Sequence, residues 1–361
     1  MNVKLVPGNN EYKIADTSFD ITTKEIEEIV DLTRIAYKFL RAMHHLNSVI
    51  CKNNNLVRSA SVLKKIIHCD VPKNYKAAIL NSSNNSMPLF MRIDVMKDIN
   101  GNFKIAEIDP MNKHGLGFAT ACREQNERMQ HQKLFTLLEQ AIAKKKCTEI
   151  CIVISKDEEF FFLEQVYFAE KITENINIKT SVILEGDELL QQKIDDDNCH
   201  FLDCPIFQNK YDTSLLDAFT KQPERFLNPP QHWMGNKALM SVVFEESFRD
   251  LIGLFISQDL IRGMQKFLPQ TYYTKPHQGK YVTKILHSSG ARGVFLDGKY
   301  IGNEDVIYQE FVEQKKYSQG YTRLAVHAIQ GQLAELTITA SDSLPVHGGN
   351  NSINYHVNIK K

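Results

Sequence analysis

Pro88-Leu89-Phe90-Met91-Arg92-Ile93-Asp94-Val95-Met96, then Lys97 to Asn102, then Phe103-Lys104-Ile105-Ala106-Glu107-Ile108-Asp109, reads as a β-hairpin. Asn100-Gly101 is its turn signal, because both residues tolerate the positive φ of a two-residue type I′ turn. With those two as the loop, Asp94 stands opposite Glu107 and Arg92 opposite Asp109. Side chains alternate along a strand, so all four share one face. Met91, Ile93, Val95, Ala106 and Ile108 fall on the other, which reads as core. Like charges directly across a ladder oppose each other by roughly a few tenths of a kcal/mol or more. Setting Asp94 against Glu107 beside a packed face therefore predicts a cation between them. Carboxylates gathered without thiols or imidazoles suit a hard ion, Mg²⁺ or Mn²⁺. The plainer alternative is a solvated face on which Arg92 pairs with Asp109.

The bulk of the chain narrows the partners. Its 361 residues suffice for two or three domains. Hydrophobic and charged contents of 43% and 24% are ordinary for a soluble chain. Lys+Arg and Asp+Glu both number 43, a balance that argues against a general nucleic-acid binder. Lys144-Lys145-Lys146 reads as a solvated helix end. No apolar stretch approaches the roughly 20 residues that cross a bilayer, and Met1 to Asp20 has no signal-peptide core, so no membrane association is expected. Seven cysteines without a disulfide-like or zinc-ribbon spacing suggest a reducing, cytoplasmic setting with buried thiols.

Along the chain, Thr22 or Thr23 opens a long amphipathic helix through Glu25 to His45, and Val57 to Ile67 reads as another short helical segment. Phe118 to Lys146 reads as helix. Strands at 149–154, 178–184 and about 199–207 alternate with helices at about 159–173 and 187–192, the pattern of an open α/β unit. Asn228-Pro229-Pro230 marks a boundary. Lys237 to Leu268 again reads as helix. From Tyr281 onward the signals are β: 281–286, 293–295, 306–312, 324–329 and 332–340.

Asn236-Lys237-Ala238-Leu239 follows the Pro-Pro break, and Tyr281-Val282-Thr283-Lys284 is a strand carrying a lysine. His287 to Val294, with Gly290 and Gly293, is a small-residue loop of a kind that folds over phosphates or simply turns. Tyr308-Gln309-Glu310-Phe311-Val312 leads from an apolar strand into an acidic segment, a suitable edge for an adenine slot. Taken in order, Arg92-x-Asp94, Glu107-x-Asp109 and these downstream pieces resemble the ATP-grasp ligases. The similarity is to the circularly permuted, glutathionylspermidine synthase-like branch, in which the acidic pairs precede the lysines, and it spans about residues 86 to 350.

That resemblance implies a mixed α/β, circularly permuted ATP-grasp fold with a Rossmann-like α/β unit ahead of the nucleotide lobe. It divides the chain into an N-terminal helical and hairpin region (1–147), the α/β unit (148–230) and an ATP-binding lobe (231–361). It implies ATP and Mg²⁺ (or Mn²⁺) as cofactors, with Asp94, Glu107 and Asp109 as metal ligands. Arg92 takes the catalytic place facing the transferred phosphate. Lys237, Lys284, Gly290 and Gly293 fall at the phosphates, and Gln309, Glu310, Phe311 and Val312 at the adenine. The implied activity joins a carboxylate to an amine (amino acid, peptide or polyamine) through an acyl phosphate, in a protein that is a homodimer by family analogy alone. A phosphotransferase and a non-catalytic nucleotide-binding module are the alternatives. Three positions depart from the pattern: Asp109 replaces asparagine, Ile285 replaces the proline after the lysine, and Pro110 to Gly117 differs from the usual threonine-proline-threonine segment. Arg323 is weighed as a further phosphate contact and as an ordinary strand arginine. His347 to Asn351 is weighed as a loop near the acceptor and as a plain turn.

Overall fold

Three sheets and nine helices carry the described part of the chain in the computed structural model. The described residues are 5, 13–52, 57–69, 87–110, 114–124, 133–203, 214–229, 231–286, 293–296, 300, 302–346 and 352–360. In chain order the strands are β1 (Lys13–Ile14), β2 (Phe19–Thr22), β3 (Phe90–Lys97), β4 (Phe103–Asp109), β5 (Glu149–Ile154), β6 (Lys179–Leu184), β7 (Cys199–Asp203), β8 (Thr271–Tyr272), β9 (Tyr281–Ile285), β10 (Val294–Phe295), β11 (Val306–Glu310), β12 (Lys316–Tyr317), β13 (Gly320–Ile329), β14 (Gln332–Ser341) and β15 (Ser352–Lys360). The helices are α1 (Thr23–Lys52), α2 (Arg58–Ile67), α3 (Leu116–Glu124), α4 (Lys133–Ala143), α5 (Phe162–Ile176), α6 (Glu188–Asp195), α7 (Ser214–Lys221), α8 (Arg249–Gly253) and α9 (Gln258–Phe267).

The largest sheet runs β1-β15-β14-β13-β3-β4, with β12 on β13 and β2 on β15. The hairpin β3–β4 is thus an integral edge of a sheet whose central strands β13 to β15 lie more than 200 residues downstream, and β3 pairs antiparallel with β13. The apolar face of the hairpin (Met91, Ile93, Val95, Phe103, Ile105, Ile108) joins Phe39, Leu40 and Met43 of α1 in one buried cluster. At about 1.5–3 kcal/mol for each large apolar side chain, this face fixes which side of the hairpin is left for polar groups. Helix α1 starts in a reciprocal cap: Glu25 N donates to Thr22 Oγ1 at 3.3 Å and Thr22 N donates to Glu25 Oε2 at 2.7 Å.

A four-stranded sheet, β10-β9-β11-β8, faces the hairpin. A parallel sheet, β6-β5-β7, forms the α/β unit, with β5 wholly buried at its centre. Asn228 ties that unit to the hairpin: its Oδ1 accepts from Phe90 N at 3.0 Å and its Nδ2 donates to the Pro110 carbonyl at 3.2 Å. One buried side chain therefore brackets the outer ends of both hairpin strands.

The structure corrects three sequence expectations here. The hairpin closes through a three-residue loop, Ile99 to Gly101, rather than through Asn100-Gly101 alone. Asp98 N donates to the Asn102 carbonyl at 3.0 Å, Gly101 N donates to the Asp98 carbonyl at 2.9 Å, and only Gly101 has positive φ (+85°). Asp98 explains this outcome, because its Oδ1 accepts from Asn100 N and Asn102 N and favours the wider turn. Second, Ala106 is not core. A bulge leaves it without a partner on β3, between the pairs Val95–Ile105 and Asp94–Glu107, and turns it to the polar side. Loop and bulge each take up one extra residue on opposite strands, so Arg92 still pairs Asp109 and Asp94 still pairs Glu107. Third, 237–268 is not one helix. It breaks into 3-10 turns at Lys237–Ser241 and Glu246–Phe248 and the helices α8 and α9. The turn at Lys237 begins when Asn236 Oδ1 accepts from Ala238 N at 2.8 Å, and Ser257 Oγ caps α9 through Leu260 N. Strand β15 was not read from the sequence.

Candidate functional site

Between the hairpin face and the β8–β11 sheet lies a cleft of about 990 Å³, counting its open mouth. Arg92, Asp94, Glu107, Lys237, Lys284, Gln309, Glu310, Phe311 and Val312 all line it, so nine of the residues selected from sequence meet in one place. Ala106, Thr322 and Arg323 join them on the polar side, and Val282, Val294, Leu296, Pro345 and Val346 give it apolar walls. That mixture of apolar walls and a few converging charges is typical of a small-molecule site.

The charges pair across the cleft. Asp94 is buried and accepts from two arginines. Arg92 Nε reaches its Oδ1 at 2.9 Å, and Arg323 Nη1 reaches its Oδ2 at 3.3 Å. Burial alone would raise the Asp94 pKa, but the two guanidinium groups outweigh it and hold the carboxyl below its ordinary range. Burial likewise works against the charge on Arg92, yet Asp94, Asp109 and Glu107 together hold its proton more firmly than usual. Arg92 is further fixed by donating from Nη1 to the His114 carbonyl at 3.2 Å.

Glu107 and Lys237 pair at 2.9 Å, with Lys237 almost fully buried at the start of its 3-10 turn. The Asn236 side chain sets that turn and also donates to the Ile66 carbonyl at 3.0 Å, so α2 helps to aim Lys237. Lys284 projects from β9 across to the other sheet and donates to the Ala106 carbonyl at 2.8 Å. The bulge is what leaves this carbonyl available. Burial is the main force on Lys284, opposed by Glu107 and reinforced by Lys237, and it brings the lysine pKa down from 10.5 to about 8.

The remaining candidates divide. Asp109 lies across from Arg92 but is not among the cleft-lining residues. Gly293 sits in the β9–β10 ladder, its carbonyl accepting from Ile285 N at 2.9 Å; Gly290 and His347 to Asn351 lie outside the described residues. Gln309 is buried and donates from Nε2 to Thr271 Oγ1 at 3.1 Å, while Phe311 carries the Lys280 ammonium 3.9 Å above its ring. Among the described residues no three His, Cys, Asp or Glu side chains cluster as a ready-made metal cage. Asp94 and Glu107, opposed on adjacent strands, offer hard oxygen donors that fit a divalent ion completed by phosphate oxygens.

Sequence reasoning passed over several supporting residues. His327 pairs with Arg92 across β13 and β3 and is buried without a partner for Nε2. Burial, aided by Arg92, pushes its pKa down to about 3, so the ring is neutral. Glu164 on α5 accepts from Gly115 N at 2.6 Å and Gly117 N at 3.0 Å, holding the segment whose His114 carbonyl receives Arg92. Each belongs to a different element, and no local pattern joins them to the hairpin. Among the described residues no helix is long and apolar enough to cross a membrane.

No protein-family model matches the chain, and no curated protein sequence is similar to it. Among solved structures, a protein from Methylobacillus flagellatus KT, provisionally named a gamma-glutamylcysteine synthetase, has 8% identity over 86% of this chain and 82% of that one, with a TM-score of 0.41. A likeness that slight assigns no family, and the chain's own cleft is the ground for a functional reading.

Proposed function

We propose that the cleft binds ATP with Mg²⁺ and that the protein is a carboxylate–amine ligase. The observation that supports this most is the meeting, in one apolar-walled cleft, of two lysines from the 231–361 region with an arginine and two opposed carboxylates from the hairpin. In this reading 1–147 supplies the acidic hairpin, 148–230 the flanking α/β unit and 231–361 the nucleotide lobe. The glutathionylspermidine synthase-like, circularly permuted ATP-grasp arrangement accounts for that order.

Lys237 and Lys284 hold phosphate oxygens, and Arg92, with its fork already steered by the His114 carbonyl, neutralises charge at the transferred phosphoryl group. Asp94 and Glu107, with Asp109 beside them, hold the divalent ion, which when bound screens the phosphates against the incoming anion. Val282, Val294 and the Gln309 to Val312 segment accommodate the base. The substrate carboxylate oxygen attacks the γ-phosphorus as the bond to ADP breaks. The amine nitrogen then attacks the acyl carbon, the acyl carbon–oxygen bond breaks, and phosphate and a proton leave. Alignment of the reactants contributes on the order of 7–11 kcal/mol in favourable cases.

The test is ADP release with amino acids, short peptides and polyamines in pairwise combination, followed by mass spectrometry. The expected product has the mass of acid plus amine less water, and Asp94→Asn and Glu107→Gln each abolish its formation. A phosphorylated acceptor without an amide would make the protein a phosphotransferase. Nucleotide binding without turnover would make it a binding module.

A further inference from the structure

We infer that the site, before nucleotide arrives, is closed by its own ion pairs, and that triphosphate and divalent ion open it only together. This rests on the nucleotide-and-metal reading above and concerns how that site is regulated. The groups suited to the ion are already held by the groups suited to the phosphates. Asp94 is clamped by Arg92 at 2.9 Å and by Arg323 at 3.3 Å, and Glu107 is held by Lys237 at 2.9 Å. Lys284, the fourth cation, rests on the neutral Ala106 carbonyl.

A bare divalent ion entering here must displace cations from both carboxylates, and those cations then stand beside it in a site of restricted water. A bare triphosphate must draw the same arginines and lysine off the carboxylates and leave two anions, buried Asp94 and half-buried Glu107, uncompensated beside a polyanion. Each ligand alone thus breaks ion pairs that it cannot replace, a cost that grows where water is excluded. Together they exchange partners, with phosphate oxygens replacing carboxylates on the basic groups and the ion replacing basic groups on the carboxylates.

Arg323 is the positioning residue that makes the exchange specific. Its hold on Asp94 at 3.3 Å and on Thr339 Oγ1 at 3.5 Å is long, and its buried Nε has no partner, so it is poised to move to a better acceptor.

The experiment uses the whole chain at low ionic strength and reads binding rather than turnover. Mn²⁺ alone is titrated by electron paramagnetic resonance, and adenylyl imidodiphosphate alone, in EDTA, by calorimetry. Arg323→Gln, which loosens the clamp on Asp94, is expected to bind bare Mn²⁺ about fivefold more tightly than wild type, and Lys237→Gln to do the same through Glu107. Asp94→Asn, which releases the arginines, is expected to bind the metal-free nucleotide about fivefold more tightly. These are gains of affinity, which a damaged fold cannot produce. Absence of both gains in variants that still bind the Mn²⁺–nucleotide pair would overturn the exchange while leaving the proposed function standing. Failure of every form to bind the pair would overturn both.

Discussion

Lys284→Met should have opposite effects on stability at the two ends of an accessible pH range. In the folded protein burial brings the Lys284 pKa from 10.5 to about 8, which at about 1.4 kcal/mol per unit amounts to roughly 3 kcal/mol against the charged form. Between those values the unfolded chain holds the proton more firmly, so the wild type gains stability as pH rises from about 8 towards 10.5, and below 8 it carries the full penalty. Methionine removes the charge at nearly constant length but leaves the Ala106 carbonyl without its donor, which costs about 1–3 kcal/mol. The variant is therefore equal to or more stable than wild type at pH 7, by about 0–2 kcal/mol, and less stable near pH 10.5 by about 1–3 kcal/mol. Urea unfolding followed by far-UV circular dichroism at pH 7, 8.5 and 10 measures the difference, and titrations common to both proteins cancel. A difference that stays constant with pH, or moves the other way, would refute the view of Lys284 as a desolvated cation.

Three further outcomes follow from other parts of the fold. Glu335 is buried beside Arg123, and burial outweighs that arginine to push its pKa up to about 7. Its contribution is fully present below the ordinary value of 4.5 and is lost as pH rises through about 7, so thermal melts should show wild type losing up to roughly 3 kcal/mol relative to Glu335→Gln across that window. Gly115 has φ of +106°, and a Cβ there would lie 3.2 Å from His327 Cε1; Gly115→Ala should cost about 1–3 kcal/mol in denaturant titrations and loosen the segment that holds Arg92. Thr22→Ala removes half of the reciprocal cap on α1 and should cost about 1 kcal/mol, read as a lowered melting temperature.

What the sequence revealed depended on how local the physics was. The hairpin faces were legible because period-two alternation is a local property, and Asp94 opposite Glu107 could be read from it. The two-residue turn with positive φ at both positions occurs at a different hairpin. Asn100-Gly101 is overruled by the Asp98 side chain, whereas Gln330-Gly331, both with positive φ, makes the two-residue connection between β13 and β14. The 237–268 stretch is apolar at helical spacing, yet Asn236 and Ser257 start new turns within its bounds, a side-chain competition that periodicity does not register. Arg323 and His327 share a strand, but Arg323 reaches the cleft and His327 meets Arg92 only because β13 pairs β3, a contact between residues more than 200 positions apart. Asn228 looked like punctuation before two prolines, and its hold on both hairpin ends emerged only in three dimensions.

The bulge at Ala106 carries one more implication. Lys284 is met by a main-chain oxygen, so no replacement of the Ala106 side chain deletes that partner, while removal of the residue does. For this contact, selection would therefore count residues between Ile105 and Glu107, leaving only the size of the side chain to the cleft that Ala106 lines. Its signature among related genes would be intolerance of one-codon deletions at a site where exchanges among small side chains, which leave the cleft open, keep the lysine's partner.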